Sequence, residues 1–513
     1  MVLGYAPFYV FLIPVVALAG LFKLVLLQST ARQAALVAFC FGLGKFGTGV
    51  AWIYVSLHVY GGMSAVLAIV FTAAFCAFLA LFVALFGTLA WYVRGVRPAI
   101  FIFTLASLWV ASEWLRGVLL TGFPWLAVGY SQVADSPLFG YAPIIGVYGI
   151  SGLVAATAAA VWRPTAGAFS AKLRIVAFWC LVWMGGALLA KVPWTAPFEA
   201  PFEVSLLQGN VSQDKKWQED EAAITLATYL SLLKKSKGKL IVMPETALPM
   251  ISDELPTNYV TSVASLMKSR QADLIVGIIE RARDSHHVRL YNSAINIGIS
   301  SPQVYRKKHL VPFGEYIPAK PLFGWVLNFL QIPLTDLSPG PAISQPLDLQ
   351  GTKVGINICF EDAFGEEIIT AIPDTTLLVN MSNLAWFGDT NALPQHLQIG
   401  QMRAAEAGRY MLSVANTGIT AIINERGQIL LQAPSRQVFV LSGSVQKFTG
   451  TTPYAYFGNM PILLFSMLGV SFSLRQGWKR GRRSMRKGRP GMSSNSGQSR
   501  FDLASAPSTA TIN

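Results

Sequence analysis

The stretch GINICFEDAFG, residues 355–365, ends an apolar run at Cys359 and follows it almost at once with Glu361 and Asp362. The other three cysteines, Cys40, Cys76 and Cys180, lie in long apolar stretches, where a free thiol behaves as a small hydrophobe. Cys359 is therefore the only cysteine in the polar half of the chain. A structural cysteine facing an oxidising compartment would want a partner, which leaves two readings, an inert core thiol or a nucleophile. A thiol with a pKa of about 8.5 needs a base or a positive neighbour to react at neutral pH. The same half offers Glu245, Lys307, Glu315 and Glu361. A buried glutamate could take the thiol proton, and a lysine could hold the oxyanion of a tetrahedral intermediate. A Cys–His pair using His309 or His396 remains open, and Glu245 and Lys307 taken singly also read as solvated strand-end charges.

The elements that must position these residues alternate between strand and helix from about 200 to 447. FEVSLLQGNV, KLIVMPE, ADLIVGIIE and SAINIGI are short β-rich runs, and QEDEAAITLATYLSLLKKS is an amphipathic helix. KVGINICFED, TTLLVNMSN, YMLSVAN, GITAIIN and QVFVLSG continue the pattern, with helices expected near 364–372 and 393–408. Strands buried on both faces with helices between them predict an α/β layered domain. Glu245 closes one strand and Cys359 another, and strand tips are where such sheets gather their sites. Lys307 lies in an extended or loop segment on the sheet's rim.

Charge separates this domain from the rest. The chain has 513 residues, 53% of them hydrophobic and only 13% charged, with a mean hydropathy of +0.47. Soluble domains are about a quarter charged. Stretches long enough to span a bilayer lie near 5–27, 34–57, 64–92, 98–120, 143–162, 173–191 and 456–474. The predicted architecture is thus a polytopic helical membrane domain (1–195), an α/β domain (196–450), a C-terminal span (451–475) and a basic, disordered tail (476–513). Arg475, Lys479, Arg480, Arg482, Arg483, Arg486, Lys487 and Arg489 place that tail in the cytoplasm. Counting back, the α/β domain lies outside, and the connections at 93–97 and 163–174, which carry Arg94, Arg97, Arg163, Lys172 and Arg174, lie inside. This accounts for the net charge of +14 without nucleic acid, the tail resting on anionic headgroups. Seven spans would leave Met1 outside with no basic anchor, so either the chain inserts N-out or an upstream helix is expected.

Three further features carry expectations. Residues 311–345 are apolar, Pro-punctuated and too irregular for a span, which suggests a membrane-facing arm or lid rather than a loop packed on its own domain. Segments 384–394 and 121–131 could line the same entrance. Glu113 and Arg116 lie three residues apart inside the fourth span and are expected to pair structurally, with headgroup or substrate contact as the alternative. His286 and His287 have no companions to complete a metal site, so neither metal nor cofactor is expected.

MPETALP, YRKKHLVPFGEYIP, NICFEDAFG and NMSNLAWFG resemble the Glu–Lys–Cys signatures of the nitrilase superfamily. Flanked by spans, and with GVAWIYVSLHVYGG, EWLRGVLLTGFPWLAVGYSQ and APIIGVYGISG in the apolar half, the chain is similar to the bacterial apolipoprotein N-acyltransferase family from about Gly4 to Arg475. The resemblance implies an αββα sandwich facing the periplasm of the inner membrane. It implies Cys359 as nucleophile, Glu245 as general base and Lys307, rather than Lys308, at the oxyanion. Glu315 and Glu361 match further acids near the site, and Trp217 and Trp386 match aromatic positions that engage substrate. This chain departs from the family in three places. The family usually has eight spans, Phe360 stands where Tyr is frequent, and Leu384 replaces the acid of an SND motif.

The implied reaction moves an acyl chain from a phospholipid to the α-amine of a lipoprotein's diacylglyceryl cysteine through a thioester. A membrane-tethered amidase, which would resolve its acyl-enzyme with water, needs the same three residues. The apolar arm and lipid-embedded half favour transfer. A non-catalytic membrane scaffold or transporter is the reading from a different class.

Overall fold

The computed structural model describes residues 1–95, 98–162, 169–214, 216–283, 288–324 and 336–487. Twelve strands form two six-stranded sheets. The first holds β1 (Ala196–Gln208), β2 (Leu240–Val242), β3 (Asp273–Arg283), β4 (Val288–Gly298), β5 (Val304–Arg306) and β12 (Phe439–Thr449), in the order β12-β1-β2-β3-β4-β5. The second holds β6 (Leu347–Leu349), β7 (Thr352–Ile358), β8 (Leu377–Ser382), β9 (Met411–Ala415), β10 (Ala421–Ile423) and β11 (Ile429–Gln432), in the order β11-β10-β9-β8-β7-β6. Parallel pairing at the centre, β1-β2-β3 and β7-β8-β9, gives way to antiparallel strands at the edges.

The sheets face each other across Val204, Val242 and Ile275 on one side and Ile356, Val379 and Leu412 on the other. Helices Glu219–Lys235 and Thr257–Ser269 cover the outer face of the first sheet. Gly365–Ile369 and Ala392–Ala407 cover the second. This is the expected αββα sandwich, and it explains why β8 is apolar without alternation: all six of its residues are buried, because both faces are covered. The rim segment around Lys307 is partly strand, since Val304–Arg306 forms β5 directly before it.

Each apolar stretch contains a helix. Ala65–Tyr92, Ile100–Thr121 and Pro137–Trp162 are long and apolar enough to cross a membrane alone. Ala31–Gly49 and Ile53–Tyr60 qualify together as a pair bent by 57°. Ile13–Leu26 is a shorter apolar helix, while Leu173–Leu189 and Met460–Ser473 are apolar parts of the longer helices Phe169–Leu189 and Met460–Lys487. The first expected span is the clearest correction. Its helix starts at Ile13, with Pro14 in the first turn, and 14 residues rise only about 21 Å, short of a hydrocarbon core of about 30 Å. Residues before it fold back, Tyr5 donating its hydroxyl to the Leu126 carbonyl and Ala6 its N–H to Gln398.

The expected Glu113–Arg116 pair is also corrected. Glu113 faces Lys45, 3.6 Å away, and accepts the N–H of Val128. Arg116 donates to the carbonyls of Phe123 and Trp125. A helix turn aims the two side chains along one face, yet backbone groups of the 123–128 loop are nearer to each than they are to one another.

Helix Ala392–Ala407 joins the two halves. It ends at Gly408, whose φ of 62° is the left-handed stop that only glycine takes freely. It covers the second sheet on one side, while Ala392, Ile399, Met402 and Ala405 belong to the core of the membrane helices on the other. Glu406 accepts the Val147 N–H and Arg403 donates to the Tyr130 hydroxyl.

Candidate active site

Glu245, Lys307 and Cys359 arrive from three strand ends: β2, β5 and β7. The backbone at Cys359 turns left-handed, with φ 54°. A non-glycine residue held there stores roughly 1–3 kcal/mol of strain. The strain is tolerated because Glu361, two residues on, ties the turn down. Its carboxylate accepts N–H groups from Ile358 (2.7 Å), Lys308 (2.8 Å) and His309 (3.1 Å), and the Tyr305 hydroxyl (2.8 Å). Glu361 thus fastens the Cys359 turn to the lysine segment.

Lys307 Nζ sits between two carboxylates, 3.3 Å from Glu245 and 2.9 Å from Glu315. Only 1% of its side chain is exposed. Asn292, in the middle of β4, donates through Nδ2 to both acids, at 2.7 and 2.8 Å. The Asn383 backbone N–H reaches the other oxygen of Glu245 at 2.7 Å. Lys308 turns away and donates to the Glu367 carbonyl, so the first lysine of the pair is the one at the centre.

The electrostatics define a resting state. Burial pushes the Cys359 thiol well above its ordinary value and the Glu245 carboxylate adds to this, while Lys307 opposes it. Burial alone would raise Glu245, but Lys307, Asn292, the Asn383 N–H and Lys216 together hold it below the usual carboxylate range. Burial works against charge on Lys307 too, yet Glu315 and Glu245 raise its pKa. Burial raises Glu361 against the opposing Lys307 charge. These directions favour a neutral thiol beside a carboxylate and an ammonium at neutral pH, with Glu245 the carboxylate hydrogen-bonded to the thiol.

The Cys–His alternative is not built. His396 Nε2 faces the carbonyl oxygen of Cys359 at 3.2 Å, and burial lowers its pKa to about 4. His309 is stacked on Phe364 with its Nδ1 2.7 Å from Glu367. His286 and His287 lie outside the described residues. Among the described residues no group of three or more His, Cys, Asp or Glu is placed to hold a metal ion.

Trp217 packs against Ile279, Leu310 and Leu337, near the base of the apolar arm. Of that arm, residues 325–335 lie outside the described ones, while Phe313 packs with Met63 and Ala68 of the helical half. Trp386 meets Tyr60 of the bent helix, ring centres 6.4 Å apart. Beside it, aromatic rings run from Phe387 through Trp52, Trp125 and Phe123 to Phe360, the residue after Cys359. The segments 384–394 and 121–131 thus do meet at the helical half.

Sequence reasoning missed Asn292 and Lys216. An asparagine inside the apolar strand LYNSAINIG was a usable signal. Lys216 had none: it is fully buried, donates to Thr246 at 2.6 Å, and burial lowers its pKa to about 7 against the pull of Glu245.

Two family models match. Residues 203–454 match "Carbon-nitrogen hydrolase", the class that these facing sheets define. Residues 1–160 match "Apolipoprotein N-acyltransferase N-terminal domain". Proteins named apolipoprotein N-acyltransferase are similar over nearly the whole length. That of Nitrosomonas europaea is 48% identical over 91% of this chain and 93% of its own. Those of Chromobacterium violaceum and Methylococcus capsulatus are 38% and 39% identical over 93% and 92% of this chain, and 92% and 94% of their own. The chain belongs to the apolipoprotein N-acyltransferase family.

Proposed function

We propose that this protein transfers an acyl chain from a membrane phospholipid to the α-amine of an S-diacylglyceryl cysteine at a lipoprotein N-terminus. The observation that carries the reading is the meeting of Cys359, Glu245 and Lys307 in a buried centre beside an aromatic-lined helical half.

In the first half, Cys359 Sγ attacks the carbonyl carbon of a glycerol ester while Glu245 takes the thiol proton. Charge develops on the carbonyl oxygen, where the Lys307 ammonium stabilises it. The carbon–oxygen bond breaks, Glu245 returns the proton to the glycerol oxygen, and a lysophospholipid leaves behind a thioester. In the second half the lipoprotein amine attacks the thioester, Glu245 accepts its proton, the carbon–sulfur bond breaks and the thiol is restored. Glu315 and Asn292 position Lys307 and Glu245, Glu361 holds the turn, and Trp217 and Trp386 contact the acyl or lipid parts.

The placement that suits this chemistry is the bacterial inner membrane, with the α/β domain periplasmic and the C-terminus cytoplasmic; the basic residues after the last apolar helix support it. An amidase would release free fatty acid instead. Incubation with labelled phospholipid and a diacylglyceryl lipopeptide tests the proposal: label on the peptide amine, passing through one adduct on Cys359, is the expected result. Free fatty acid without labelled peptide would refute it.

A further inference from the structure

Lys216 is a buried titratable group to which the acyl-transfer steps give no part. The residue is 1% exposed, and lysines are almost never that deep unless paired. Lys45, Lys307 and Lys447, also buried, each meet a glutamate carboxylate. Lys216 instead donates to the Thr246 hydroxyl at 2.6 Å. Holding an ammonium in the interior beside a neutral partner costs stability, so what it does for its neighbours is the question.

Thr246 directly follows Glu245, and its backbone turns left-handed, with φ 42°. A residue branched at Cβ enters that region only under strain. The turn also lies hard against β3. A Cβ at Gly277 would stand 2.2 Å from the Pro244 carbonyl oxygen and 2.7 Å from Glu245 Cα. Ala247 donates its N–H to the Gly277 carbonyl at 2.8 Å. Backbone contacts thus hold the turn from β3, and Lys216 holds it by the Thr246 side chain.

The segment that carries Lys216 reaches Glu245 by a second route. Asn383, whose backbone N–H donates to Glu245, donates its side-chain amide to Gln213 at 2.8 Å. Asn416 joins Asn383 to Val211, and the Lys216 N–H closes on the Ser212 carbonyl at 3.1 Å. Lys216 is therefore placed from both sides of the base, with Trp217 next in the chain.

The other groups facing Glu245 come from four places. They are Asn292 on β4, Lys307 after β5, with Glu315 on its far side, Cys359 after β7, and His396 of helix Ala392–Ala407. Burial lowers His396 to about 4, so at neutral pH Lys307 is the ammonium that this set supplies.

We propose that Lys216 is a positioning residue for Glu245: anchored on Thr246, it fixes the turn that presents the carboxylate and adds a second positive charge that favours its ionised form. The proposal rests on the part of the acyl-transfer reading in which Glu245 takes the thiol proton. A positive charge near a carboxylate lowers its pKa. Lys216, which titrates near 7, is protonated throughout the acid range where Glu245 takes up its proton. Without Lys216, Glu245 should be protonated at higher pH. His396 gains charge in the same range with or without Lys216, so it does not create that difference.

The test follows acylation of Cys359 by 4-nitrophenyl butyrate in the full-length enzyme in detergent, read as adduct mass per folded molecule across the acid range. Lys216→Met should move the acid limb of the rate up by about one pH unit. Because that change leaves the Thr246 hydroxyl unpaired, Lys216→Met with Thr246→Val removes both partners, preserves the fold and should show the same shift. Limbs that coincide in wild type and both variants, or a loss of equal proportion at every pH, would overturn the proposal. Neither lipid nor lipopeptide enters this assay. A wild type that acylates Cys359 from the ester yet labels no lipopeptide would refute acyl transfer alone. No ester adduct on wild-type Cys359, or Glu245→Gln acylating as fast as wild type with an unchanged limb, would overturn the base role of Glu245 and this proposal with it.

Discussion

The molecule buries a lysine against a glutamate in two places. In the α/β domain Lys307 lies 3.3 Å from Glu245, and in the helical half Lys45 lies 3.6 Å from Glu113; both lysine side chains are 1% exposed. What surrounds them differs. Around Lys307 a second acid, an asparagine and a thiol converge. Around Lys45 the remaining bonds end on backbone, with Glu113 holding the Val128 N–H and neighbouring Arg116 the Phe123 and Trp125 carbonyls. A buried lysine–glutamate pair is therefore common to both clusters, and what the first alone adds is a thiol beside the pair. The membrane cluster still serves the centre at a distance. It fixes the loop carrying Trp125, whose indole N–H bonds to Gln395, next to the His396 that faces the Cys359 carbonyl.

The comparison breaks most completely if Cys359 is dispensable. Cys359→Ser should abolish both adduct and transfer, whereas joint replacement of Cys40, Cys76 and Cys180 should leave transfer intact; intact-mass analysis reads both. Next come the partners. Lys307→Met and Glu245→Gln should each lower acyl-enzyme formation about a hundred- to a thousand-fold, and Lys308→Met far less, by single-turnover kinetics. If Lys308→Met were the damaging change, the site would be centred on the wrong amine.

Glu113→Ala sharpens the contrast from the other side. Leaving Lys45 buried and unpaired should destabilise the fold by about 3–5 kcal/mol, seen as a lower melting temperature in detergent, while the rate per folded molecule stays within a small factor. A rate loss as large as that of Lys307→Met at unchanged stability would erase the distinction between the two clusters.

The smallest effects concern pH. Glu245 must be ionised to accept the thiol proton, and its pKa is held below the ordinary value of about 4.3. Acyl-enzyme formation, measured without the acceptor amine, should therefore stay level as pH falls towards that value and decline only below it. Lys216 titrates near 7 in the fold against about 10.4 when unfolded. Between those values the unfolded chain holds a proton that the folded one lacks, so stability rises with pH across the window. Lys216→Met should flatten that part of the melting-temperature profile.

Much of this geometry was legible in advance because apolar strands that close on a charged or thiol residue announce themselves. Apolar runs ending at Glu245 and Cys359 fixed two corners of the centre, and motif spacing chose Lys307 over its neighbour. What escaped was long-range. Nothing adjacent to Lys216 shows that a fold will bury it against Thr246, 30 residues on. The Glu113–Arg116 pair failed for the same reason: helix periodicity gives a shared face but not the loop carbonyls that compete for it. The first span was overestimated because hydropathy does not register where a helix begins, here at Ile13.

Helix Ala392–Ala407 has a bearing on how the protein comes to exist. Its two sides are claimed by partners from opposite ends of the chain, one being Gln398 held by Ala6, 392 positions earlier. During synthesis the membrane helices leave the ribosome first and must wait, with the surface that Ile399 and Met402 will cover still open. Only when the growing chain passes residue 407 can that surface close and the second sheet receive its outer layer in the same event. The α/β half therefore matures against a membrane half already in place, and a secreted copy of it would leave the Ala392, Ile399, Met402 and Ala405 side of this helix uncovered.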